Sequence, residues 1–137
     1  MRRTKLAKKG KQPISKIQRL LWQECRRVAD ILYPPINGKT RCYTCGKPIE
    51  GSNKQLGHVP WPKASLGAYL KYDMRCLRWQ CYHDNINLGG MGAEAYKKML
   101  KEEGKAYMDK LEEDRKKTVK AIDHYLELLE LYRTHEK

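Results

Sequence analysis

The sequence predicts a small α+β domain in which a compact, cysteine-containing centre lies between helical ends. Three observations support this class. Apolar residues recur every three or four positions over residues 14–33, which is the period of one helical face. Helical periodicity returns after Gly89 and Gly90 and continues along the rest of the chain. Between these regions, residues 39–92 hold short strand-like pieces, with turn signals roughly ten residues apart, and most of the reactive side chains.

The chain begins with a basic tail, residues 1–13, that ends in Pro13. Its polar composition predicts disorder until a partner binds. The N-terminal helix follows over residues 14–33, and its apolar stripe includes Cys25, which is therefore expected in the core rather than at a metal. Pro34 and Pro35 end this helix because proline cannot continue its hydrogen bonding.

A helix is predicted over residues 93–103, at the end of the central region, and Gly104 interrupts it. Residues 104–137 are predicted to form a helical extension, whose first helix covers residues 106–111. After the charge-dense stretch EEDRKK, the second helix of the extension has an amphipathic face formed by Val119, Ile122, Leu126, Leu129 and Tyr132.

Positive charge is concentrated in the first two thirds of the chain. The formal net charge is +13, from 29 Lys and Arg against 16 Asp and Glu. Residues 94–137 hold 11 of each sign, so residues 1–93 carry 18 basic and 5 acidic side chains. Such a block attracts polyanions through counterion release, and nucleic acid is the commonest partner. Because the sequence shows no long apolar run and no apolar segment after its basic start, we expect neither a membrane partner nor secretion.

Five cysteines without an export signal indicate reduced thiols, metal ligands or core packing rather than disulfides. Cys42 and Cys45 form a C-x-x-C pair followed by Gly46, which is a zinc-knuckle spacing. Two thiolates at this separation can point at one tetrahedral ion while the glycine permits a tight turn. Cys81 is the expected third ligand. The sequence thus predicts a structural zinc site.

Three residues compete for the fourth zinc position. Asp84 is favoured because it lies three residues after Cys81, where a second cysteine is usual, and its carboxylate is an acceptable ligand. Cys76 could reach the ion if a strand carries it alongside. His83 is a good donor by type, but its spacing from Cys81 requires a different turn.

A resemblance to a known family is carried by the segments CYTCGK, LGH, LKYDMRCLRWQCYHDNINLGG and AY, in that order. They resemble the phage NinG/Rap recombination endonucleases, zinc-containing relatives of the HNH or ββα-metal nucleases with an endonuclease VII-like zinc site. The likeness covers about residues 41–100, and its ordered motif set is specific. Two positions depart from the family pattern. Cys76 stands in place of the usual Asn, and Asp84 stands in place of the second Cys.

The resemblance implies a zinc-stapled ββα-metal (HNH-like) core over residues 39–103, flanked by the N-terminal helix and the C-terminal helices. In that fold a β-hairpin and a helix hold a divalent ion, usually Mg²⁺, beside the scissile phosphate. His58 is then expected to act as the general base that activates water. Asn85 is expected to offer a neutral oxygen to the Mg²⁺ ion.

The implied function is metal-dependent hydrolysis of phosphodiester bonds in DNA, at branched recombination intermediates such as junctions or flaps. Two alternatives remain: a catalytically inactive zinc-containing DNA-binding module, and a helical protein-interaction protein with a structural zinc. A homodimer would suit symmetric cutting of a four-way junction. The expected location is the cytoplasm, that of a bacterial host if the protein is phage-encoded.

Basic side chains near the motif and in the tail are expected to position DNA through its phosphates, which gives affinity without sequence choice. These are Lys63, Lys71, Arg75, Arg78, Arg2, Arg3, Lys5, Lys8 and Lys9. Trp61 and Trp79 are either stacking platforms for exposed bases or, as is commoner for tryptophan, buried side chains.

Overall fold

The structure, a computed structural model, describes residues 13–135. Five expected DNA contacts in the tail lie outside these residues: Arg2, Arg3, Lys5, Lys8 and Lys9. The described chain is α+β, with five α-helices and two small antiparallel sheets. The predicted fold class is confirmed at this level.

The α-helices account for almost half of the described residues. They are α1 (Ile14–Leu32), α2 (Gly67–Leu70), α3 (Gly92–Glu103), α4 (Lys105–Arg115) and α5 (Ala121–Arg133). The strands are β1 (Thr40–Arg41), β2 (Pro48–Ile49), β3 (Gln55–His58) and β4 (Leu77–Gln80). A π-helical segment, His83–Asn87, follows β4 and is called the π turn below. Among the helices described, none has the length and apolar character needed to cross a membrane.

The helix boundaries follow local chemistry. Helix α1 ends at Leu32, two residues before Pro34, and Gly104 separates α3 from α4 with a φ of +93°. Helix α4 continues to Arg115, four residues beyond the predicted end at Leu111. Ion pairs between side chains three residues apart, such as Lys110 with Glu113 at 3.2 Å, support this charge-dense turn.

The first hydrophobic core lies where α1 and α5 pack together against the β3–β4 pair. Its buried residues from the two helices include Ile17, Leu21, Cys25, Val28, Tyr125, Leu129 and Tyr132. The predicted core position of Cys25 is confirmed, since its side chain is fully buried. The carbonyl oxygen of Tyr72 joins the two helices because it accepts hydrogen bonds from Cys25 Sγ (3.7 Å) and Tyr132 Oη (2.8 Å).

A second core forms beneath α2, α3 and α4. Its members are Val59, Leu66, Leu70, Cys76, Ala95, Met99, Met108 and Leu111. At its edge, the buried carboxylate of Asp114 forms an ion pair with the guanidinium of Arg75 at 3.0 Å. This pair ties α4 to the segment that leads into β4.

The two faces of the β3–β4 pair meet different partners. In the antiparallel register, His58 lies opposite Leu77 and Leu56 lies opposite Trp79, so these side chains share the face toward α1. Gly57 lies opposite Arg78, and Gln55 lies opposite Gln80, on the other face. The π turn packs against that second face.

Candidate metal centre and adjoining hairpin

Four side chains from three parts of the chain converge on one point. Cys42 follows β1, Cys45 lies in the loop before β2, Cys81 follows β4, and Asp84 belongs to the π turn. Their ligand atoms all lie within 4.8 Å of one another. The loop between the first two cysteines is closed by a hydrogen bond from Gly46 N–H to the carbonyl of Cys42 at 2.9 Å. The cluster could hold a metal ion.

The spacing of these atoms fits a tetrahedral ion. Bonds of about 2.3 Å to sulfur and about 2.0 Å to oxygen would separate two sulfur atoms by about 3.8 Å, and sulfur from oxygen by about 3.5 Å. The Sγ atoms of Cys45 and Cys81 are 3.9 Å apart, and Cys42 Sγ is 3.4 Å from Asp84 Oδ2. Cys42, Cys81 and Asp84 are buried, while Cys45 is exposed, so the cluster has one side open for an ion to enter.

Neighbouring groups orient the ligands. The Thr44 hydroxyl donates to Asp84 Oδ2 at 2.6 Å, and the backbone N–H of Asp84 donates to Cys81 Sγ at 3.4 Å. Burial raises the pKa of the Cys42 thiol, but its contact with the Thr44 hydroxyl and hydrogen bonds from backbone groups outweigh burial and leave that pKa below its usual value. Hydrogen bonds of this kind hold a ligand in the form and direction that a metal requires.

The two other candidates for the fourth position do not join the cluster. The expectation that Cys76 could reach the ion is wrong. Its thiol is fully buried in the second core, where burial raises its pKa to about 12. His83 remains largely exposed, and its Nδ1 lies 3.3 Å from Asp84 Oδ1. It therefore contacts the carboxylate from outside the cluster.

His58 is held in one orientation at the end of β3. Its Nε2 is 3.0 Å from the carbonyl oxygen of Lys71, and its ring stacks on Trp22 with centroids 5.6 Å apart. Because a carbonyl only accepts, Nε2 carries the proton and Nδ1 is the unprotonated nitrogen. Burial, with the charges of Lys63 and Lys71, lowers the pKa of His58 to about 4 despite the hydrogen bond to the Lys71 carbonyl. The imidazole is therefore neutral at neutral pH.

Asn85 reaches the opposite face of the β3–β4 pair, which is called the hairpin below. Its Nδ2 donates to Gln55 Oε1 at 2.9 Å, which turns its Oδ1 toward Gly57. A Cβ at Gly57 would lie 2.7 Å from that oxygen and 2.1 Å from Gln80 Oε1, so only glycine allows this approach. Asn85 Oδ1, from the π turn, thus lies beside Gly57, the residue before His58, while the His58 side chain lies on the other face of the β3–β4 pair.

Sequence reasoning assigned no role to Thr44 or Gln80, which connect the metal cluster to the hairpin. Gln80 is fully buried, and its Nε2 donates to Thr44 Oγ1 at 3.1 Å and to the Gly90 carbonyl at 2.8 Å. The available signal was position alone: Thr44 lies inside C-x-x-C, and Gln80 directly precedes Cys81.

The basic residues near the hairpin divide into two groups. Lys63 and Lys71 line an open cavity of about 300 Å³ that also includes Tyr125. Arg75 instead pairs with Asp73 at 2.8 Å, as well as with Asp114.

The expectation that Arg78 contacts DNA does not hold, because the side chain lies in the interior. Its side chain is only 5% exposed, and its guanidinium donates to the carbonyls of Met74, Arg75 and Leu77. Trp79 is buried as well, at 3% exposure, so it offers no stacking surface. Trp61 is half-buried beneath the guanidinium of Arg115.

Comparisons of this chain with protein-family models, with curated proteins and with solved structures find no match.

Proposed function

We propose that this protein is a zinc-containing DNA endonuclease of the HNH type that hydrolyses phosphodiester bonds with a divalent metal ion. The observation that carries the proposal is the environment of His58. A neutral imidazole, fixed through Nε2 and flanked by two lysines, stands at the end of a hairpin that is followed by a helical turn bearing Asn85. At a pKa of about 4 the imidazole is a weak base, and a bound phosphate anion beside it would raise that pKa toward the range in which a general base works best.

The metal of the cysteine cluster is proposed to be zinc. Three thiolates and one carboxylate at tetrahedral spacing match its ligand preferences, whereas magnesium prefers oxygen ligands alone. Four protein ligands leave no position for water or substrate, so the ion acts in folding rather than catalysis. It joins the β1–β2 loop to β4 and the π turn, and it thereby fixes the turn that carries Asn85.

In the proposed reaction, His58 Nδ1 accepts the proton of the attacking water. Its low pKa keeps it unprotonated, and the Lys71 carbonyl holds the ring in the required direction. The ammonium groups of Lys63 and Lys71 bind phosphate oxygens beside the imidazole. A phosphate bound at the end of β3, where His58 is the last strand residue, would reach both faces of the β3–β4 pair, and a divalent ion held near Asn85 would stabilise negative charge on that phosphate and on the leaving oxygen. Asn85 would offer the ion a neutral oxygen, so the negative charge that balances the ion comes from the phosphate.

The preference for branched DNA rests on the resemblance to recombination endonucleases. A homodimer is proposed on the same basis, since two active sites related by symmetry suit a four-way junction. The excess of positive charge in residues 1–93 supports a polyanionic substrate.

A cleavage assay with matched histidine variants tests the function. Wild-type protein, His58→Ala and His124→Ala are incubated with junction, flap and linear DNA in Mg²⁺. His124 is the matched control because its Nε2 is also 3.0 Å from a backbone carbonyl, that of Tyr69, and its ring stacks on Tyr69 as the ring of His58 stacks on Trp22. We expect His58→Ala to lose a factor of about 10² to 10⁴ in cleavage rate and His124→Ala to keep its rate. No cleavage by the wild type, or equal rates for both variants, would contradict the proposal.

One observation favours a second candidate, an inactive zinc-containing DNA-binding module. Among residues 13–135, the one group of three or more His, Cys, Asp or Glu side chains able to hold a metal is the cysteine cluster. Within these residues, no second group of this size surrounds Asn85. Salt-sensitive DNA binding without cleavage would select this candidate, and the absence of DNA binding would select a protein-interaction role.

A further inference from the structure

Gln80 carries a buried oxygen that no donor in the described chain satisfies. Its side chain is fully buried, and Oε1 has no hydrogen-bond partner. Leaving a buried acceptor without a partner destabilises the fold, so such a group is rarely retained without a reason.

The orientation of the Gln80 amide is fixed by chemistry. One contact of Nε2, the carbonyl of Gly90, can only accept a hydrogen bond. The other contact, Thr44 Oγ1, gives its own proton to Asp84 Oδ2 and so accepts from Gln80. Exchanging the amide oxygen and nitrogen would place acceptor against acceptor at Gly90. Oε1 must therefore point toward Gly57.

A second amide oxygen points at the same place. Asn85 Oδ1 is oriented toward Gly57 because Asn85 Nδ2 donates to Gln55. The two oxygens lie 2.1 and 2.7 Å from the position that a Cβ on Gly57 would occupy, so they are no more than 4.8 Å apart. Two acceptors this close, one of them buried without a hydrogen-bond partner, are suited to a proton donor or a cation that both can contact.

We infer that Gln80 Oε1 and Asn85 Oδ1 together bind a hard divalent cation, with Gln80 as a second metal ligand held in place by Thr44. This inference rests on the proposed function, because it extends the ion site expected at Asn85. Amide oxygens are ligands that Mg²⁺ and Mn²⁺ accept. Both ligands are neutral and the protein is strongly basic, so the ion binds weakly until a DNA phosphate completes its coordination. Asn85 is only partly buried, which leaves an entry path from solvent.

The site is physically coupled to the cysteine cluster. The chain of contacts runs from Asp84 Oδ2 through Thr44 Oγ1 to Gln80 Nε2, with distances of 2.6 and 3.1 Å. Asp84 is also the residue that precedes Asn85. Occupation of the cysteine cluster therefore sets the positions of both amide oxygens.

Binding of Mn²⁺ to the full zinc-loaded chain tests this assignment without measuring cleavage. The unbound ion is followed by electron paramagnetic resonance during titration of wild type, Gln80→Met, Asn85→Asp and Gln23→Met. Gln23, an exposed residue of α1, is the control for the Gln→Met change. We expect Gln80→Met to weaken Mn²⁺ binding at least about tenfold. Asn85→Asp should tighten binding because a carboxylate replaces an amide, and Gln23→Met should match the wild type.

The opposite results overturn the inference. Wild-type Mn²⁺ affinity in Gln80→Met, or no tightening in Asn85→Asp, would mean that Gln80 and Asn85 hold a water molecule only. No Mn²⁺ binding by the wild type, with or without DNA, would mean the same. If Gln80→Met fails to fold, Gly57→Ala decides, because its Cβ fills the position between the oxygens while both ligands stay in the chain; unchanged Mn²⁺ affinity in this variant refutes the site.

The two proposals fail separately. A wild-type protein that cuts no DNA but binds Mn²⁺ in a Gln80-dependent manner would contradict the endonuclease and leave the ion site intact. A protein that cuts DNA while Gln80→Met binds Mn²⁺ normally would keep the endonuclease and remove Gln80 as a ligand.

Discussion

Replacing His58 with phenylalanine should remove a pH-dependent part of the protein's stability. The folded-state pKa of His58 is about 4, below the value of 6.5 in an unfolded chain. Between these values the unfolded chain binds a proton that the folded protein does not, so protonation favours unfolding. The stabilising contribution of the neutral ring is complete above pH 6.5 and is lost as the pH falls toward 4.

The magnitude follows from the two pKa values. A difference of about 2.5 pH units corresponds to about 3.4 kcal/mol in total, of which about 2 kcal/mol is lost between pH 7.5 and pH 5. Phenylalanine keeps a ring against Trp22 but does not titrate. Its loss of the hydrogen bond to Lys71 lowers stability equally at both pH values.

Urea denaturation at pH 7.5 and pH 5, with metal present in excess, measures the difference. Acid also weakens the cysteine cluster, but that effect is common to both proteins and cancels. The free energy of unfolding of the wild type should fall by about 2 kcal/mol more than that of His58→Phe. An equal fall in both proteins would refute the assignment of a buried, neutral imidazole and, with it, the choice of His58 as a base.

Three further outcomes are expected. Asp84→Ala should lose bound zinc more readily than Cys76→Ala when challenged with a chelator, measured by metal content; the reverse order would return Cys76 to the ligand set. Arg75→Ala should lower the free energy of unfolding by about 1 to 2 kcal/mol, because the buried Asp114 carboxylate loses one charged partner but keeps Lys110 and Lys117 at 3.3 Å; an unchanged urea midpoint would contradict this. Lys63→Ala should weaken DNA binding and reduce the slope of log affinity against log salt by about one; an unchanged slope would remove Lys63 from the phosphate contacts.

Local signals predicted the parts of the structure that depend on neighbours in the sequence. The period of apolar residues predicted α1 and the buried position of Cys25, and Gly104 predicted the break before α4. The spacing from Cys81 to Asp84 favoured the ligand that the fold places in the cluster, because three residues make one turn of backbone. Ligand spacing of this kind is a local property, which is why the sequence was informative.

Tertiary contacts explain what the sequence did not predict. An arginine such as Arg78 is expected at the surface, yet here three backbone carbonyls satisfy its guanidinium in the interior. Cys76 was a candidate ligand by residue type, but the fold turns it toward a different core. The link from Thr44 to Gln80 joins residues 36 positions apart, and no periodicity or spacing rule reports such a contact.

The pairing of α1 with α5 has a consequence for the order in which the molecule assembles. Arg27 donates to the carbonyls of Tyr132 and His135, which lie 105 and 108 residues further along the chain. The first core is therefore completed only when α5 has left the ribosome, whereas every candidate ligand of the cysteine cluster has been synthesised by residue 84. Metal loading can precede closure of the core during translation, and a chain truncated after residue 103 would keep its ligands but leave Tyr72 and Cys25 uncovered.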